Sequence, residues 1–214
     1  MERGAIVKER PILFSAPMVR ALLTGRKTQT RRVLRVQPPA ATRGMKVWHH
    51  PEPRPHFFAN DGASMLDFAV PCPYGQPGER LYVRETFAPI YPQDPDYNGG
   101  QPIEYDYRAT YTHGDRLGDT LGIKKTWKPA IHMPRVASRI LLEITAVRVE
   151  RLQDISEDDA WAEGVSACTV DASVTGVDLY RVLWEQINGP DAWAANPWVW
   201  VVEFRVLEQG VQQP

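Results

Sequence analysis

Hydrophobic and polar positions along the chain read as many strands with a few short helices between them. Residues 10–14, RPILF, form a short apolar run, and Met18, Val19, Leu22 and Leu23 then recur at helical spacing. Ser15 suits the N-cap, Pro17 the first turn and Gly25 the C′ position, so a helix is predicted from about residue 15 to residue 25. Thr28, Thr30, Val33 and Val36 favour an extended strand after it. Residues 37–55 carry several prolines, His49 and His50, and little periodicity, which predicts an inserted loop over the surface. HFFANDGASMLDFAV (56–70) reads as a hairpin turning near Asn60-Asp61-Gly62. A turn at Pro77-Gly78 leads to a strand with Leu81 and Val83 on one face.

A second insertion is predicted near 90–102, followed by a strand in IEYDYRATY (103–111). Residues 127–139, WKPAIHMPRVASR, are irregular, and RILLEITAVRVERL (139–152) is a long alternating strand. ISEDDAWAEGV is a short helix in which Ser156 and Asp159 have capping-box spacing and Gly164 is the stop. A longer amphipathic helix is predicted over about 177–188, with Leu179, Val182, Leu183 and Ile187 at helical spacing and Gly189-Pro190 as its end. PWVWVVEFRVL (197–207) is a strongly apolar strand. There is no internal repeat and no regular βα alternation. This pattern argues against a doubly wound sheet and for an α+β fold or small β-barrel built as one domain over 1–214.

With 214 residues, 43% hydrophobic and 24% charged, the composition is that of an ordinary globular protein. The formal net charge is −1, so any basic run is a local concentration. One such run is conspicuous. Arg20, Arg26, Lys27, Arg31, Arg32 and Arg35 fall within sixteen positions that hold no acid, starting where the first helix stops. A chain of this net charge can offer a basic patch but is not built to coat nucleic acid non-specifically. Cys72 and Cys168 stand far apart with no CxxC partner, as small thiols of a reducing compartment. No segment approaches about 18 apolar residues and the N-terminus lacks an apolar targeting core, so no membrane partner and a cytoplasmic location are expected. GxGxxG, Walker A and HExxH motifs are missing, and neither a metal nor another cofactor is expected.

The segment Gly25-Arg26-Lys27-Thr28-Gln29-Thr30-Arg31-Arg32 after a short helix resembles the GxK…xR signature of the ASCH domain family, whose fold is a PUA-like β-barrel. PGERLYVRE, RVERLQDISEDDAWAEGV and the terminal WVWVVEF strand are similar to that family in order and spacing. WKPAIHMPRVASR is similar to its longer, phage-associated members. Many members carry Glu three residues after the lysine, whereas here that slot holds Thr30. The small bacterial N4-acetylcytidine amidohydrolases of the family look similar at this point, and their third catalytic residue is a Glu in the short helix after the long strand. The resemblance thus implies catalytic roles for Lys27, Thr30 and Glu163, and a nucleoside or RNA as partner. A non-catalytic RNA- or modified-base-binding module and a ribonuclease are the competing readings.

The chemistry of these residue types is coherent. A hydroxyl attacks an amide if a base takes its proton, and a lysine serves once it is neutral, which burial beside other cations favours. Lys27 and Thr30 would face opposite sides of a regular strand, so joint action demands a bend between them. Glu163 is either a general acid or an acceptor for a cytosine exocyclic N–H. Arg32 is the candidate for stabilising charge on the carbonyl oxygen. Gly25, Arg26, Arg31, Glu85, Trp127, Lys128, His132 and Arg135 are further candidate contacts to substrate or nucleic acid. Tyr82, Trp127 and Trp161 are the candidates for stacking on a base. Trp193, Trp198 and Trp200 read as core.

Overall fold

The computed structural model describes residues 7–48, 56–92, 94, 96–111, 126–166 and 173–209; His49, His50 and Cys168 lie outside them. Among the described residues, ten strands and three α-helices run in the order β1 (Glu9–Leu13), α1 (Ala16–Leu23), β2 (Gln29–Val33), β3 (Gly44–Trp48), β4 (His56–Asn60), β5 (Met65–Pro71), β6 (Arg80–Arg84), β7 (Phe87–Ile90), β8 (Glu104–Tyr107), β9 (Ile140–Arg151), α2 (Glu157–Ala162), α3 (Gly176–Asn188) and β10 (Trp198–Gln209). The fold is α+β, mostly sheet.

The main sheet has the order β1-β6-β9-β10-β2, with β1 parallel to β6 and the other pairs antiparallel. Among the described residues its ladder does not close into a barrel. It curls instead, so that its two edge strands come within reach of one side chain: Arg32 of β2 donates to the Leu13 carbonyl of β1 at 2.6 Å.

The alternation in β10 places two cores. Trp198, Trp200, Val202 and Phe204 point to one side, where Ile12, Phe14, Leu22, Leu81 and Leu142 fill the curl. Val199 and Val201 point to the other, against Leu152, Ile155, Ala160, Tyr180 and Trp184 under α2 and α3. A strand buried on both faces reads as the near-continuous apolar run WVWVV. Phe57 of β4 meets the Trp200 ring edge-on at 4.9 Å and fastens the three-stranded sheet β3-β4-β5 to the first core.

Several expectations are corrected. The loop expected at 37–55 contains β3, which pairs with β4 along its whole length. The strand expected over 103–111 is shorter: β8 stops at Tyr107, ahead of a 3-10 turn over Arg108–Thr110, and it pairs antiparallel with β7. In α3 the buried positions are Gly176, Tyr180 and Trp184, while Val182 and Ile187 are about half exposed. The larger aromatic side chains take the inner face because they remove more apolar area from water. Ser15 caps α1 by position without a side-chain bond. Ser156 accepts from the Asp159 amide, whereas the reciprocal capping box sits at Thr175 and Asp178. Trp198 and Trp200 are core, and Trp193 is half-buried.

Gly164 follows α2 at φ +86°, where an added Cβ would lie 2.8 Å from Ala21 Cβ and 2.9 Å from Lys27 Cβ. This glycine lets the end of α2 close onto α1 and the basic segment. Gly164→Ala is expected to cost about 2 kcal/mol or more, combining the left-handed backbone with backbone displacement. Denaturant unfolding at equilibrium measures it, and a loss below about 0.5 kcal/mol would contradict the close approach.

Candidate active site

The basic segment leaves α1 through Gly25, at φ +72°, and changes partner twice within four residues. Lys27 forms an isolated antiparallel bridge with Glu163 at the end of α2. The Thr28 amide donates to Ala162, and the Thr28 carbonyl accepts from Phe204 of β10. Only from Gln29 does the chain run as β2 beside β10. The chain thus departs from a regular strand between Lys27 and Gln29.

Register then sorts the side chains of β2. Thr30 lies opposite Val202 and Arg32 opposite Trp200, so both share the face of the first core. Arg31 lies opposite Val201 and shares the face of α2 and α3. Because β2 is an edge strand, a cavity of about 150 Å³ wraps around it and touches both faces, lined in part by Thr30, Arg31, Arg32, Tyr74, Glu163 and Tyr180. A cavity of that size holds one six-membered ring, as a benzene-binding cavity in another protein illustrates.

Glu163 is the hub. Lys27 Nζ donates to Glu163 Oε2 at 2.9 Å and to the Glu163 carbonyl at 2.8 Å, across 136 residues of sequence. Arg31 Nη1 donates to Glu163 Oε1 at 3.2 Å. The side chains of Lys27 and Arg31 are wholly buried and that of Glu163 is 2% exposed. Arg31 also reaches Glu150 Oε1 at 2.5 Å and Asp159 Oδ2 at 2.8 Å. Arg148 joins the same network through Glu150, Asp159 and Glu203.

Burial lowers the pKa of Lys27 from its ordinary value; Glu163 opposes this, and Arg32 and Arg31 add to the lowering. For Arg31 burial also disfavours the charge, but Glu163 and Glu150 outweigh it and raise the pKa. Burial, then the Glu163 charge, pushes the Tyr180 hydroxyl well above its ordinary range. Burial raises that of Tyr74 too, against the pull of Arg32. The Lys27 ammonium and the Arg32 guanidinium lie over one ring, Phe14, at 5.5 and 5.4 Å from its centroid. Two cations therefore converge on the side of β2 that carries Thr30. Thr30 itself is 2% exposed.

The remaining sequence candidates lie elsewhere. Gly25 and Arg26 are exposed, and Arg26 donates to the Thr24 hydroxyl. Glu85 is buried in a two-bond pair with Arg139. Lys128 pairs through its backbone with Phe87, Trp127 meets the Tyr111 ring, and His132 is exposed in a 3-10 turn. Arg135 bonds Glu9 and covers the Tyr82 ring. None of these lines the cavity, nor does Trp161. The aromatic groups on its wall are Tyr74, Tyr180 and Trp184. Sequence reasoning missed Tyr180 and Trp184, which stand at i,i+4 spacing; the Arg31 guanidinium lies 5.9 Å from the Tyr180 ring centroid. Among the described residues no group of three or more His, Cys, Asp or Glu is placed to hold a metal ion.

Removing the hub carboxylate leaves two buried cations short of a partner. Glu163→Ala is therefore expected to destabilise the protein by about 3–5 kcal/mol, and Glu163→Gln by less, since one acceptor remains. Urea unfolding of the three proteins checks the order, and a loss under about 1 kcal/mol for the alanine variant would show that water satisfies the cations. Comparison with protein-family models, with curated proteins and with solved structures gives no match, so the arrangement of these side chains is what a functional reading stands on.

Proposed function

We propose that the chain is a PUA-like domain of the ASCH type whose cavity binds the ring of a cytosine nucleoside and whose Lys27, Thr30 and Glu163 hydrolyse an acyl amide on its exocyclic nitrogen. The observation that carries this reading is the buried 2.9 Å contact between Lys27 Nζ and Glu163 Oε2 behind a ring-sized cavity with Thr30 on its wall. The resemblance of the Gly25–Arg32 segment and the α2 region to the N4-acetylcytidine amidohydrolases supports it from the sequence. The curled sheet with Arg32 across its seam supports a PUA-like frame.

In this mechanism Thr30 Oγ forms a bond to the acyl carbon as its proton passes to neutral Lys27 Nζ. Arg32 faces the negative oxygen of the tetrahedral intermediate. The proton moves through Glu163 Oε2 to the nitrogen, the C–N bond breaks, and cytidine leaves as the free amine. Water then attacks the threonine ester and gives its proton to Lys27; the acyl C–Oγ bond breaks, Lys27 passes that proton to Thr30 Oγ, and the carboxylic acid is released with Thr30 and neutral Lys27 restored. The net change is amide plus water to acid plus amine. The lowered pKa of Lys27 is what this route needs, since only the neutral amine accepts the hydroxyl proton.

A second reading is a non-catalytic binding module. Both Lys27 hydrogen bonds end on Glu163, as they would in a structural strut. It predicts salt-dependent nucleoside or RNA binding without product.

Incubation with N4-acetylcytidine decides between the two. Turnover by the native protein, a loss of at least about 100-fold in Thr30→Val and partial recovery in Thr30→Ser are the outcomes of the enzymatic route. Bound but intact substrate would leave only the module. The pH profile adds a sign test. Because Lys27 must be neutral and its pKa lies below 10.5, kcat/KM should fall as pH drops through an inflection below 10.5. A kcat/KM that rises as pH drops would remove Lys27 as the base.

A further inference from the structure

We propose that the native acyl group is several methylenes longer than acetyl and lies in an apolar groove beside the cavity, an inference that rests on the amidohydrolase reading above. The groove has a volume of about 390 Å³, more than twice that of the cavity at about 150 Å³. Met18, Glu163 and Leu183 belong to the walls of both. A substrate whose reacting carbonyl lies between Thr30 and Glu163 therefore has two adjoining spaces for its two halves.

Their chemistry assigns the halves. Thr30, Arg31, Arg32 and the phenols of Tyr74 and Tyr180 give the cavity the polar groups that a heterocycle with ring nitrogens and a carbonyl uses. Pro17, Met18, Val165, Leu179, Val182 and Leu183 make most of the groove wall apolar, with Ser166 and Gln186 as polar members, and Glu163 turns its carboxylate oxygens to Lys27 and Arg31. Ribose hydroxyls set against the apolar part of that wall would lose water without gaining partners. An aliphatic chain gains by the same burial. Val182 is 53% exposed at the groove, an apolar side chain left without the cover that the inner face of α3 gives Tyr180 and Trp184. The substrate class is thus a cytosine-type amine acylated with a medium-length aliphatic acid. The bonds made and broken are those given above, and the released acid is the corresponding fatty acid.

The test compares kcat/KM for N4-acetylcytidine and N4-hexanoylcytidine with the native protein, Val182→Asp and Val182→Trp. Each fully buried methylene is worth about fourfold, so four in a partly open groove should favour hexanoyl by about tenfold or more. Asp brings a charge into the groove and Trp fills it, so both should drive the hexanoyl-to-acetyl ratio toward one. Far-ultraviolet circular dichroism and melting confirm that the variants fold. A native protein that turns over acetyl but shows no preference for hexanoyl, or a ratio untouched by both variants, overturns the long-chain inference alone. Turnover of neither compound overturns the amidohydrolase reading and this inference with it.

Discussion

A single carboxylate holding two buried cations ties the molecule together at the place where its elements would otherwise be free to slide. Glu163 stands at the end of α2, Lys27 between α1 and β2, and Arg31 within β2. Desolvating three charges is expensive, and a buried network of this kind adds little net stability over apolar packing of similar shape. What it does is penalise every other arrangement, because a shift of α2 by one turn would leave a charge in the interior without a partner. Gly164 makes the contact sterically feasible, and the bridge between Lys27 and Glu163 fixes its register.

The same network acts on the protonation of its own lysine. Burial that locks the ammonium in place also disfavours its proton, and two neighbouring guanidinium groups push in the same direction. Arg31 is kept charged by Glu163 and, on its far side, by Glu150. On the proposed amidohydrolase reading, that lowering is what would let the lysine serve as a base as well as a strut. A ligand that takes a hydrogen bond from Arg32 or displaces water near Thr30 changes the field on the amine without any movement of the backbone.

Local pattern made much of the fold legible. The helix from Ser15 to Gly25, the hairpin at Asn60–Gly62 and the strands β6, β9 and β10 follow from periodicity and turn residues that act over a few positions. β3 was hidden because GMKVW is short and flanked by prolines, and its ladder comes from a partner strand rather than from its own propensity. The buried face of α3 was misread because spacing alone cannot rank Val182 and Ile187 against Tyr180 and Trp184. In the site, the pairing of Lys27 with Glu163 spans 136 residues and no local rule reaches it; family resemblance alone placed both residues together. That resemblance carried no information on Tyr74, Tyr180 or the wall formed by Leu183, which depend on how α3 docks. Glu85, Trp127, Lys128, His132 and Arg135 were drawn in by residue type, and topology places them away from the cavity.

The seam between β1 and β2 has a consequence for solubility. An uncapped sheet margin offers unpaired amides to any passing extended chain, the usual seed of intermolecular aggregation. Here the two margins are curled toward each other, Arg32 spans the gap to the Leu13 carbonyl, and Pro11 removes a donor from β1. Among the described residues the two margins are thus blunted by one long cation and one imino acid.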